Sequence, residues 1–145
     1  MENNVFQVLN KQVANWTVLY TKLHNFHWNV KGPHFFTLHA KFEELYNEAA
    51  AHMDALAERV LAIGGKPTGT LSAVLRTASI TEATGNETAE QMVEAIVRDF
   101  TILVDELKLG IEAAEQAGDE ATADMLLEIR SGLEKHIWML NAFLQ

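Results

Sequence analysis

Cysteine is absent from the 145 residues, which excludes disulfides, thiolate catalysis and cysteine-based zinc sites and makes a reducing cytoplasmic setting the default expectation. Proline is scarce, with two residues, and glycine contributes eight, so little interrupts long helices. No run of about 18 uninterrupted apolar residues occurs, so no membrane span is expected. Met1-Glu2-Asn3-Asn4 offers neither a basic n-region nor an apolar h-region, and no secretory signal is expected. Basic residues are also few: 11 against 20 acidic ones, for a net charge of -9. Such a balance repels a phosphate backbone and attracts cations. The first ten residues contain no Lys or Arg, and no basic run is found elsewhere. What is present is apolar material, 48% of the chain, enough to bury a substantial core as one domain spanning 1–145.

The apolar residues recur at spacings of three and four, which predicts an all-α chain. Val5, Leu9, Val13, Trp16, Tyr20, Leu23, His27 and Val30 form one stripe, so a first helix is expected from about Asn4 to Val30, broken by Lys31-Gly32-Pro33. A second helix should run to Ala62 or Ile63 and stop at Gly64-Gly65. Residues 64 to 87 form a long connection in which Leu71 to Leu75 could be a short helix capped by Thr70. Thr88-Ala89-Glu90-Gln91 has capping-box form and opens the next long helix, with Met92, Ile96, Leu103, Leu107, Ile111 and Ala114 as its stripe. Gly118 suits a left-handed terminating residue. A last helix begins around Glu120 to Thr122, with Leu126, Ile129, Leu133, Ile137 and Leu140 facing the core. Two helical hairpins joined by one long crossover make a ferritin-like four-helix bundle.

The second helix carries two separated pairs of ligating side chains, His39/Glu43 and Asp54/Glu58, each at i,i+4 and hence on one face. At ~100° per residue the four fall within an arc of about 100°. The pair midpoints are 15 residues apart in sequence, roughly 22 Å along a helix, whereas imidazole and carboxylate ligands reach a metal at about 2 Å. One ion cannot touch both pairs of one chain. If the arc is a single site, its halves come from two copies of the helix packed antiparallel about a two-fold axis. The core stripe of this helix, Leu38, Phe42, Leu45, Ala49, Leu56, Val60 and Ile63, lies on another side. Phe36, Ala50, Ala57 and Leu61 share the ligand arc, so this face too calls for a cover.

Di-iron bundles of the ferritin type place carboxylates and Glu-x-x-His motifs inside the bundle, but this chain has no Glu followed three residues later by His. The set on the second helix, joined by His27 on the first, is the alternative. Imidazole with carboxylate suits Fe(II), with Mn, Co and Zn as competitors. Each residue alone has a plainer reading. Asp54/Glu58 alone reads as a solvated helix face, His39/Glu43 as a hydrogen-bonded pair, and His27 as a core histidine satisfied by one hydrogen bond. Taken jointly, carboxylates flanked by small apolar residues need a neutralising cation if covered.

The stretch His24-Asn25-Phe26-His27-Trp28-Asn29-Val30-Lys31-Gly32-Pro33, followed by Phe35-Phe36-Thr37-Leu38-His39, resembles the signature of the Dps family of mini-ferritins. Met53-Asp54-Ala55-Leu56-Ala57-Glu58-Arg59, ending in Ile63-Gly64-Gly65, is similar to its second motif, and the likeness extends to Lys135-His136-Ile137-Trp138. The resemblance implies a hollow dodecamer with ferroxidase centres at dimer interfaces, two irons to each. His27, His39 and Glu43 of one subunit would then face Asp54 and Glu58 of its mate. Glu43 departs from the Asp common in the family, and its extra methylene bears on occupancy of the second iron position. Trp28 matches the aromatic beside the centre, with packing at an interface as the competing reading.

The implied reaction is oxidation of Fe(II), preferably by hydrogen peroxide, with ferric mineral stored in the shell and the cell thereby protected from oxidative damage. The resemblance also implies acidic three-fold pores, for which Glu115, Glu120 and Asp124 are the candidates. The alternative is that Asp119 and Glu120 merely favour a helix N-terminus. His24, His34, His52 and His136 are read as structural or surface histidines, and Trp16 and Trp138 as packing residues. Two rival functions remain open at this point: a nucleoid protein coating DNA, disfavoured by the acidic charge, and a helical assembly without redox activity.

Overall fold

The structure, a computed structural model, describes residues 2–145. Five helices follow in order: α1 (Glu2–Asn29), α2 (Phe35–Ala62), α3 (Leu71–Thr77), α4 (Ala89–Gln116) and α5 (Glu120–Leu144). α1 packs chiefly on α2 and α4 on α5, while α1 also meets α4 and the short α3. The four long helices make the ferritin-like bundle, and α3 rides on the crossover between hairpins. No helix among the described residues is long and apolar enough to cross a membrane.

The start and stop signals act where their chemistry predicts. Thr88 caps α4 by accepting from the Gln91 N–H at 3.2 Å, and the Gln91 side chain accepts from the Thr88 N–H at 2.9 Å. This capping box satisfies two donors that a helix start leaves free. Thr70 caps α3 through the Ala73 N–H. Gly118 adopts φ +73° after α4, and Asp119 caps α5 by accepting from the Thr122 N–H at 3.0 Å.

The apolar stripes converge in one core. Leu9, Trp16, Leu19, Leu23 and Phe26 of α1 meet Leu38, Phe42, Leu45 and Leu56 of α2 and Ile96, Phe100 and Leu103 of α4, all essentially inaccessible. Tyr20, Ile63, Ile111 and Ile137, expected in the stripes, are only half-buried.

A long connection carries backbone groups that must find partners, and polar residues of α1 supply them. The Asn10 side chain donates to the Lys66 carbonyl and accepts from the Thr68 N–H. Asn15, fully buried, accepts from the Ser79 N–H at 2.8 Å and donates to Glu106 at 2.8 Å. Glu106 accepts also from Gln12 and from the Ser79 hydroxyl. Lys22 donates to the Thr81 carbonyl at 2.7 Å while paired with Asp99 of α4 at 2.8 Å. Burial pushes the Asp99 carboxyl up, and Lys22 opposes that shift. One side of α1 thus pins the crossover at residues 66, 68, 79 and 81. Asn15→Leu would leave the Ser79 N–H and a Glu106 oxygen short of partners. With each such loss costing about 1–3 kcal/mol, chemical denaturation is expected to show a loss of about 3 kcal/mol.

Candidate metal centre

The link between α1 and α2 brings two histidines face to face. Gly32 takes φ +106°, a conformation other residues adopt at a cost, and the Phe35 N–H closes the turn on the Gly32 carbonyl at 3.1 Å. The last turn of α1 therefore lies beside the first turns of α2. His27 Nδ1 lies 2.7 Å from the His39 carbonyl, and His39 Nδ1 lies 2.7 Å from the His27 carbonyl. A carbonyl only accepts, so both Nδ1 atoms carry protons and donate. In the neutral rings the lone pair is then on Nε2, the tautomer in which a backbone carbonyl orients a ligating histidine. The rings stack 3.7 Å apart at 14°, and Phe35 stacks on His39 at 4.9 Å.

Glu43 completes this half. Its Oε1 is 4.0 Å from His27 Nε2, a separation one cation could span with ligand bonds of about 2 Å to each atom. His27 is buried, His39 half-buried and Glu43 exposed. Asp54 and Glu58 lie further along α2, one helical turn apart and both exposed. Among the described residues, no three ligating side chains of one chain already surround a common ion position. The structure thus brings His27, His39 and Glu43 together and leaves Asp54 and Glu58 apart on the same helix. The face is open in the single chain just beyond each group: Phe36, before His39, is 85% exposed and Leu61, after Glu58, 59%. Large apolar side chains at such exposure mark a surface suited to a partner.

The neighbours of the pair are aromatic. Tyr46 meets His27 edge-on at 5.3 Å and stacks on His24 at 3.7 Å. Partial desolvation, then Glu43 and Tyr20, push the Tyr46 phenol up. Trp28 is 69% exposed and packs 5.3 Å from His24, so within the chain its ring partner is His24. Around the α4–α5 turn, Glu115, Glu120 and Asp124 are exposed. Asp119 instead pairs with Arg59 at 2.9 Å besides capping α5. Its burial would raise the carboxyl, but hydrogen bonds from Thr122 and Arg59 outweigh that and lower it.

One group escapes a search for Glu-x-x-His. Glu48 and His52 are four residues apart on α2 and meet His136 from α5, beside Trp16 of α1 and Phe100 of α4. Glu48 accepts from His136 Nε2 at 2.6 Å and lies 3.8 Å from His52 Nε2. Trp16 is 4.7 Å from His52, and Phe100 is 6.0 Å from His136. The i,i+4 spacing of Glu48 and His52 was the only signal in the sequence, and nothing there linked them to His136.

Over residues 6–145 the chain matches the ferritin-like domain family. It is 66% identical over 138 residues to the DNA protection during starvation protein of Brevibacillus brevis, covering 95% of this chain and 93% of that protein. General stress protein 20U of Bacillus subtilis is 60% identical over 144 residues, 99% of each chain. Among solved structures, a Dps protein from Bacillus brevis matches with a TM-score of 0.97 at 65% identity, over 97% of this chain and 95% of that one. Dps from Listeria innocua soaked with zinc matches at 0.93 and 46% identity, over 97% and 95%. Fold and relatives together define a ferritin-like helical-bundle protein. Within that class, the chain belongs to the Dps family.

Hydrogen bonds from His136, then His52, hold the Glu48 carboxyl down, to about 2. A carboxyl depressed in the folded state contributes stability above its unfolded value of about 4.5 and loses it as pH falls toward about 2. Acid titration of unfolding is expected to show Glu48→Gln with a shallower pH dependence than the parent across that window.

Proposed function

We propose that this chain, folded as a single domain, is an iron-oxidising and iron-storing protein whose redox centre exists only between two subunits. The observation that carries the reading is the pair of Nε2 lone pairs on His27 and His39, poised with Glu43 on a face whose other carboxylates, Asp54 and Glu58, are out of reach within the chain. Antiparallel packing of α2 against the α2 of a second copy sets His27, His39 and Glu43 opposite the mate's Asp54 and Glu58. Phe36, Leu61, Ala50 and Ala57 would be buried by the same step. Repeated through a dodecamer, it gives a hollow shell with two iron positions per interface, the second of them shaped by Glu43.

The substrate is Fe(II). Imidazole nitrogens and carboxylate oxygens together favour it on donor type. Two Fe(II) ions held together surrender one electron each, so hydrogen peroxide takes up both electrons and two protons and leaves as two waters. Delivery in pairs avoids the one-electron cleavage that releases hydroxyl radical. The histidines and carboxylates bind and position the irons; none is assigned a proton transfer. Ferric product collects as mineral within the shell, and exposed Glu115, Glu120 and Asp124 would line acidic pores that draw the cation inward. This chemistry relieves oxidative damage in the cytoplasm.

His39→Ala and Asp54→Ala are each expected to slow peroxide-driven Fe(II) oxidation at least about tenfold, on the scale by which disturbing a metal's surroundings weakens it. Initial ferric absorbance under anaerobic conditions measures this, with helicity and assembly size unchanged. Parent-like rates in both variants, or full activity in a monomer, would overturn the reading. An inert helical assembly would match the protein-free control.

The names of several relatives refer to protection of DNA, and peroxide removal can protect DNA without coating it. At -9 per chain and with no Lys or Arg in the first ten residues, twelve copies would repel the phosphate backbone. Plasmid mobility at neutral pH is expected to be unchanged by the protein; a salt-sensitive shift would favour the DNA-coating alternative.

A further inference from the structure

We propose that Glu48, His52 and His136 form a second cation site, inside the helical bundle and within one chain, that takes a single borderline divalent ion of the zinc or cobalt type. Two imidazole nitrogens and one carboxylate are a donor set that holds such ions with a position left open. The three side chains converge from two helices: the Glu48 carboxylate reaches His136 with one oxygen at 2.6 Å and His52 with the other at 3.8 Å. Their side chains are 35%, 15% and 23% exposed in the order Glu48, His136, His52, so the cluster is sheltered yet reachable from solvent.

Two further observations bear on what it holds. Trp16 is 1% exposed, its ring lies 4.7 Å from His52, and its indole N–H has no acceptor. His136 Nδ1 is likewise buried without a partner. Orphan polar atoms in one place need an explanation, since each costs about 1–3 kcal/mol. A water or hydroxide on the open position of a bound ion is an acceptor for the indole.

The cluster is not closed as it stands: among the described residues no three such side chains are placed to hold an ion without rearrangement. His136 Nε2–H donates to Glu48 in the present arrangement. The cation takes the place of that proton at Nε2, and the neutral ring takes up a proton at Nδ1 in exchange, because imidazole ligates only through a deprotonated nitrogen. Tetrahedral ligation at about 2.1 Å sets neighbouring donors roughly 3.4 Å apart. The 2.6 Å pair must therefore open by less than about 1 Å, within the reach of a glutamate torsion.

Crystals of the assembled protein grown with zinc, measured at the zinc absorption edge, are expected to show an anomalous peak at ligand distance from Glu48, His52 and His136. In solution, equilibrium dialysis with zinc in a His39→Ala/Asp54→Ala background should count one zinc per chain that is lost on adding Glu48→Gln or His136→Asn. A bundle interior with no anomalous peak, or one holding only a water, overturns the proposal, as does an unchanged zinc count in both added variants. Where a variant does not fold, the map of the unaltered protein decides. The outcome is independent of the interface reading, since iron oxidation could fail entirely with the bundle peak present.

Discussion

The reach of a metal–ligand bond, about 2 Å, sets the terms for everything functional in this chain. Two carboxylates stand roughly 22 Å along α2 from the histidines whose chemistry they would complete. A helix cannot bend to close such a gap, since its hydrogen bonds fix the rise per residue. In the proposed centre, a single subunit therefore presents half of the ligand set at each end of one face. In the proposed assembly the exposed Phe36 and Leu61, which flank those halves on α2, would give association its driving force, and the ligands its register. In the proposed assembly, oligomerisation and catalysis are the same event.

Within the half that one chain builds, precision comes from the backbone. The carbonyls of His27 and His39 each hold the other residue's ring, so one short turn fixes the tautomer and orientation of both imidazoles. The arrangement needs the end of α1 and the start of α2 side by side, which Gly32 permits. The crossover, by contrast, is held by α1 through Asn10, Asn15 and Lys22. A chain that spends buried polar residues on fixing a loop keeps α3 and its exposed Leu71 and Leu75 in a defined place.

The bundle interior carries a different theme. Di-iron bundles use their centre for metal, and here the centre is occupied by Trp16 and Phe100, with Glu48, His52 and His136 alongside. The Glu48–His136 bond ties α2 to α5, which otherwise belong to separate hairpins. Its acid sensitivity rests on a carboxylate held ionised by hydrogen bonds from His136 and His52.

Much of this was legible in one dimension. Helix periodicity, the capping box at Thr88, the cap at Thr70 and the stop at Gly118 are local, because a helix's hydrogen bonds and caps join residues at most a few positions apart. The two ligand pairs and their distance followed from the same regularity, and so did the conclusion that one chain cannot unite them. Contacts between residues far apart in sequence were not legible. Nothing in the order of residues ties His136 to Glu48, Lys22 to Asp99, or Asn15 to the Ser79 backbone, because each depends on how hairpins dock. Nor could sequence show that His27 and His39 donate to each other's carbonyls, since the path of the intervening turn decides it. Local hydrogen-bond geometry wrote the helices and spaced the ligands; only packing chose which buried polar groups would meet.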